Sequence, residues 1–117
     1  MAKKIRVWDG TAWQPVGISA ALPSAFNEVI SGNTTMLAGR RYFVNTSSAR
    51  TLTLPSSASA GDTIEVYDST GTAGTNNITI ARNGGKINGL SEDAIIDVDQ
   101  SISILVYTGA TLGWRFE

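Results

Sequence analysis

Ten acidic residues in a chain of 117 offer the first candidates for chemistry. Glu92, Asp93, Asp97 and Asp99 lie close together, and Asp62 and Asp68 bracket another stretch. Oxygen donors of this kind suit a calcium ion, but the spacing lacks the terminal bidentate Glu of an EF-hand loop. Asp97 and Asp99 fall on one face of an extended strand, where facing water is the simpler reading. Paired carboxylates could also cleave a glycosidic bond, given a sugar-sized cleft with one carboxyl in an apolar pocket. A body this small leaves little room for such a cleft. No cofactor and no metal is expected.

The rest of the catalytic vocabulary is missing. With no cysteine and no histidine, the chain has no disulfide, thiolate site, Ser-His-Asp triad or histidine-based zinc site. The stretch G-T-A-G-T-N-N at 71–77 lacks the following helix and Lys-Ser/Thr of a phosphate loop. Asn77-Ile78-Thr79 fits the N-glycosylation pattern, but without a signal peptide that match is idle. Tyr67, Tyr107 and Trp114 could form an aromatic platform for a sugar or nucleobase; packing and partial exposure explain them more simply.

Nine Lys+Arg against ten Asp+Glu give a formal charge of −1, so there is no electrostatic footprint for nucleic acid. The one basic cluster, Lys3, Lys4 and Arg6, reads as a solvated terminus or as a dock for an acidic protein surface. No apolar run is long enough to span a bilayer. Arg6, Asp9 and Gly10 interrupt any signal-peptide core. The expectation is a non-enzymatic protein made in a cytosol.

The elements that must position these residues read as β throughout. Short runs of Ile, Val and Leu alternate with Thr and Ser and are broken by Gly, Asn, Asp and Pro. Three zones follow. Residues 1–17 form an N-terminal hairpin, with Asp9-Gly10 as a type I′ turn and Trp8 and Trp13 on its arms. Residues 18–33 form a linker, in which Ser24 could cap one helical turn through Ile30, ended by Gly32. Residues 34–117 form the body, with a soft polar loop over 69–77 and a turn at Asn83-Gly84-Gly85. Seven or eight short strands at this spacing predict an all-β fold, a compact antiparallel β-sandwich or barrel.

Two stretches depart from clean alternation. Leu105 and Tyr107 oppose Ile102, Ile104 and Val106, and Ile95 opposes Ile96. A lone sandwich wants polar residues on one of those faces. Either the N-terminal hairpin covers them or an identical subunit does. On the second reading Ile95, Leu105 and Tyr107 are the subunit contacts. Ile5, Val7, Trp8 and Trp13 are the candidates for attachment to a larger particle, because tryptophan is enriched at binding hot spots.

The body resembles a structural β-module of tailed-bacteriophage virions, found in tail fibres, head fibres and capsid decoration proteins. The resemblance rests on Y-F-V-N-T-S at 42–47, T-L-T-L-P at 51–55 and G-D-T-I-E-V-Y-D-S-T-G at 61–71. It continues with N-N-I-T-I-A-R-N-G-G-K-I-N-G at 76–89 and a Y-T-G…G-W-R-F close at 107–116. The opening V-W-D-G-T-A-W-Q-P-V-G is similar to a tryptophan hairpin near the attachment region of such proteins. It implies a non-enzymatic virion component, commonly a homotrimer with one end tied to the particle. No heptad, collagen-like or long β-helical repeat supplies a fibre shaft. The expected partner is therefore the phage major capsid protein, which would place the chain on the capsid surface of the virion. The alternative is a small tail fibre, tip or adaptor that meets other tail proteins or a host-surface glycan.

Overall fold

The computed structural model describes residues 6–8, 13–15 and 27–117 of the chain. Among these residues every regular element is a strand and there is no helix. β1 (Arg6–Trp8) pairs with β2 (Trp13–Pro15) in a two-stranded antiparallel sheet of their own. Then follow β3 (Asn27–Ile30), β4 (Thr34–Thr35), β5 (Arg40–Val44), β6 (Arg50–Thr53) and β7 (Thr63–Asp68). β8 (Ile78–Ala81), β9 (Ala94–Ile96), β10 (Ile102–Tyr107) and β11 (Trp114–Phe116) complete the chain.

Two mixed sheets result, one of five strands in the order β11-β10-β7-β5-β3 and one of four in the order β4-β6-β8-β9. From β3 to β8 successive strands alternate between the sheets. β3, β5 and β7 stack in parallel in the larger sheet, as do β4, β6 and β8 in the smaller. The chain therefore coils, each turn adding one strand to each sheet. Antiparallel β9, β10 and β11 then close the two stacks. The expected antiparallel arrangement is corrected here. Parallel neighbours need a long crossover, and in this chain the crossover is a strand of the other sheet.

Two further expectations change. Asn27–Ile30, placed in the linker and within the proposed helical turn, is strand β3, paired with β5 from Asn27↔Arg41 to Ile30↔Val44. The β-branched Val29 and Ile30 suit a strand, Ile30 turning to the core and Val29 away from it, and the five-stranded sheet supplies the partner that a lone helical turn lacks. In the hairpin, Trp8 pairs with Trp13, so four residues separate the strands where a type I′ turn at Asp9-Gly10 would leave two. Residues 9–12 themselves lie outside the described residues, as do Ser24 and most of the linker. The turn at Arg82–Gly85 is as read. Asn83 and Gly84 both have positive φ (51° and 83°), and Gly85 N–H donates to Arg82 O at 3.1 Å.

One buried cluster draws on both sheets. Tyr42, Val44, Ile64, Val66, Leu105 and Trp114 come from the larger sheet, and Leu52, Ile78, Ile80 and Ile96 from the smaller. Met36, Leu54, Ala73 and Ile87 add cover from the loops. Gly113 shows why the closing hairpin needs glycine. Its φ is +72°, and a Cβ there would strike the Lys86 carbonyl, which accepts from Trp114 N–H at 2.9 Å. Only a residue without a side chain lets those backbones approach so closely.

The loop at 69–77, read as too soft to pack, is instead tied down by a polar corner at Thr46 and Asp68, which are themselves buried. Thr46 is fully buried, and its hydroxyl lies 2.7 Å from Asp68 Oδ1, 2.8 Å from Thr70 Oγ1 and 2.7 Å from Thr72 Oγ1. A carboxylate only accepts, so the single Thr46 proton goes to Asp68, and Thr46 Oγ1 is left to accept, from the Thr70 hydroxyl at 2.8 Å and from Thr72 N–H at 3.2 Å. Thr72 Oγ1 donates to Thr46 O at 2.8 Å and Asn76 Nδ2 donates to the same carbonyl at 2.8 Å. Ala73 packs into the core beside them. Hydrogen bonding fixes this loop where hydrophobicity could not.

Candidate interaction surface

The acidic residues do not converge. Asp93 Oδ1 accepts from Arg82 N–H at 3.0 Å, Asp99 Oδ1 from Gly74 N–H at 2.8 Å and Asp62 Oδ2 from Ser59 N–H at 2.9 Å. Each carboxylate closes its own loop. Among the described residues no three Asp or Glu side chains stand close enough to share an ion. The aromatic platform is not assembled either. Trp114 is buried (2% exposed) and meets Tyr107 edge-on on the inner side of the larger sheet. Tyr67 belongs to the opposite face.

Strand register identifies that outer face. Val29 pairs with Phe43, Phe43 with Tyr67, and Tyr67 with Ile102. These four side chains form one row across β3, β5, β7 and β10, because residues in register share a face. Val29 is 81% exposed and Ile102 62%, while Phe43 and Tyr67 are half-buried. The two rings meet at a tilt of 38°, 5.0 Å between centroids. The next row is Asn27, Arg41, Glu65 and Ile104. Arg41 Nε stands 3.4 Å from Glu65 Oε1, outside hydrogen-bond geometry, and Tyr67 donates its hydroxyl to the same carboxylate oxygen at 2.8 Å. That bond to Glu65, reinforced by burial, pushes the Tyr67 phenol above its ordinary range.

The outer face of the smaller sheet provides an internal comparison. There Thr51 pairs with Thr79 and Thr35 with Thr53, and hydroxyls meet the solvent. The same alternation thus gives a threonine-rich exterior with Ile95 beside Thr79 on one sheet, and an apolar, aromatic row on the other. An exposed apolar patch of this kind marks an interaction surface more often than chance exposure does.

The residues singled out from sequence are scattered by the fold. Leu105 is fully buried in the chain's own core, paired with Ile64 of β7, so it has no surface to offer a neighbour. Tyr107 packs half-buried against that core. The faces of β10 are therefore the reverse of those expected, with Ile102, Ile104 and Val106 outward. Ile95 stays on the surface at 52%. It lines a shallow depression of about 240 Å³ with Val98, Ser101 and Phe116. Val7, Trp8 and Trp13 lie on β1 and β2, and Ile5 falls outside the described residues. Val29 and Phe43 were missed, although Y-F-V at 42–44 carries the same two-faced signature that drew attention to β10. No protein-family model matches this chain, and no curated protein does.

Proposed function

We propose that this chain is a non-enzymatic structural protein of a bacteriophage particle, a capsid decoration (cement) or head-fibre protein that binds the assembled shell as a homo-oligomer. The observation that carries the reading is the row Val29, Phe43, Tyr67 and Ile102, exposed at both ends, on the outer face of the five-stranded sheet. The resemblance of 42–116 to virion modules supplies the context. An exposed aromatic groove lined by Tyr67, Tyr107 or Trp114 would favour a tail role; the burial of Trp114 supports the capsid reading instead.

In this role the chain binds only the assembled lattice and so stabilises it by mass action, by RT ln(1 + [L]/Kd). Several copies held together bind with an avidity that no single contact provides. The hairpin residues Ile5, Val7, Trp8 and Trp13 are the proposed attachment element. Co-sedimentation with empty capsids and with isolated tails tests the reading. The protein is expected to pellet with capsids and not with tails, and a W8A/W13A variant is expected to stay folded and lose the capsid. Pelleting with tails alone would overturn the capsid assignment, and retained binding by the variant would remove the hairpin from the attachment site.

A further inference from the structure

The outer face of the five-stranded sheet has a composition that fits one kind of partner best. Its first row is apolar and aromatic, and its second holds Arg41 and Glu65 side by side, each partly exposed (36% and 27%). A partner of one charge would attract one of these side chains and repel the other. A second copy of the same face, turned by a two-fold axis, brings Glu65 opposite Arg41 and Arg41 opposite Glu65. Arg41 meets Glu65 of its own chain through Nε, and a guanidinium has further donors to offer across an interface.

We propose that this face is a self-association surface. Two copies of the chain pack the outer faces of their five-stranded sheets together, Val29-Phe43-Tyr67-Ile102 row against row, with Arg41 and Glu65 exchanging partners across the two-fold axis. A two-fold contact of one patch with itself is the commonest closed symmetry of soluble assemblies. Sheets packed face to face in this way sit about 10 Å apart, as the two layers of a β-sandwich do. Five strands at about 4.8 Å spacing and about 20 Å of strand length give a footprint near 500 Å². That is below the roughly 800 Å² per partner of a standard stable interface. The contact is therefore weak in dilute solution and strengthens where copies are concentrated. This inference does not depend on the virion reading, since it concerns the purified chain alone.

Sedimentation velocity over about 1 µM to 1 mM decides it, because weak self-association shows as a concentration-dependent shift. The wild-type chain is expected to shift from one copy to two. Val29→Lys and Ile102→Lys, both at exposed positions, are expected to keep the fold and remain single throughout. Arg41→Glu alone and Glu65→Arg alone are each expected to weaken association at least tenfold. An equimolar mixture of those two is expected to regain a 1:1 complex of near wild-type strength, since every facing pair is then opposite in sign. A wild-type chain that stays single at 1 mM, lysine variants that still associate, a three-copy species, or a mixture that recovers nothing would each overturn the proposal. If either charge variant fails to fold, the lysine variants still decide the question.

Discussion

Burial alone would raise the pKa of the Asp68 carboxyl. Four hydrogen bonds outweigh it. Oδ1 accepts from Thr46 Oγ1 and Gly71 N–H, at 2.7 and 3.0 Å, and Oδ2 from Ala73 and Gln100 N–H, both at 2.9 Å. Together they hold the carboxyl below its ordinary value of 3.8. A group whose folded pKa is depressed adds stability that is present above the unfolded pKa and lost as pH falls through the folded one. Asp68→Asn turns an acceptor into a donor facing N–H groups. It is expected to cost about 2–4 kcal/mol at pH 7, as buried donors left unpaired do. Urea unfolding at pH 7 and at a pH below 3.8 should show wild type and variant far apart in the first case and closer together in the second. An equal gap at both would refute the assignment. Gln100, at φ +60°, is held in the left-handed region by the same carboxylate. None of this was legible from sequence, where Asp68 was one acid among several. Its partners come from the segments around 46, 71–73 and 100, which only the closed coil brings together.

At the level of elements, β3 is the informative case. It contributes Ile30 to the core and Val29 to the exposed row, and Ile30 O receives the Asn45 N–H at 2.8 Å. Arg40 of β5 also reaches Glu28 at 3.2 Å. A chain starting at Asn27 keeps every strand of the two larger sheets and serves as the reference. One starting at Thr34 loses a whole strand and the cover over Tyr42 and Val44, and is expected to be less stable by about 2–4 kcal/mol, the scale of a lost buried aliphatic side chain. Urea midpoints compared at constant slope would check this. Identical midpoints for the two chains would show β3 to be dispensable. Sequence reading recovered most strands from β5 onward, because alternation of Ile, Val and Thr is a local signal. It missed β3 because four residues carry too little pattern to outweigh Ser24 and Gly32, which resemble helix boundaries.

For the molecule as a whole, the coil sets the folding problem. Each parallel pair joins strands separated by a strand of the other sheet, so few pairings are local until a full turn has formed. Chains dominated by non-local pairing fold in milliseconds to seconds. Stopped-flow refolding followed by Trp114, in a W8F/W13F background, is expected to fall in that range; refolding within tens of microseconds would contradict it. By itself the sequence determined the all-β character, the turn at Asn83-Gly84 and the surplus of apolar side chains on β10, because each follows from neighbours along the chain. The tertiary structure decided the parallel pairing, the membership of β3, the polar corner at Thr46 and which face of β10 turns outward. The coils have unequal lengths, so no repeat announces them, and a strand that is apolar on both sides carries no local mark of its inner face. Register against β7 alone puts Leu105 inside and Ile102 in the open.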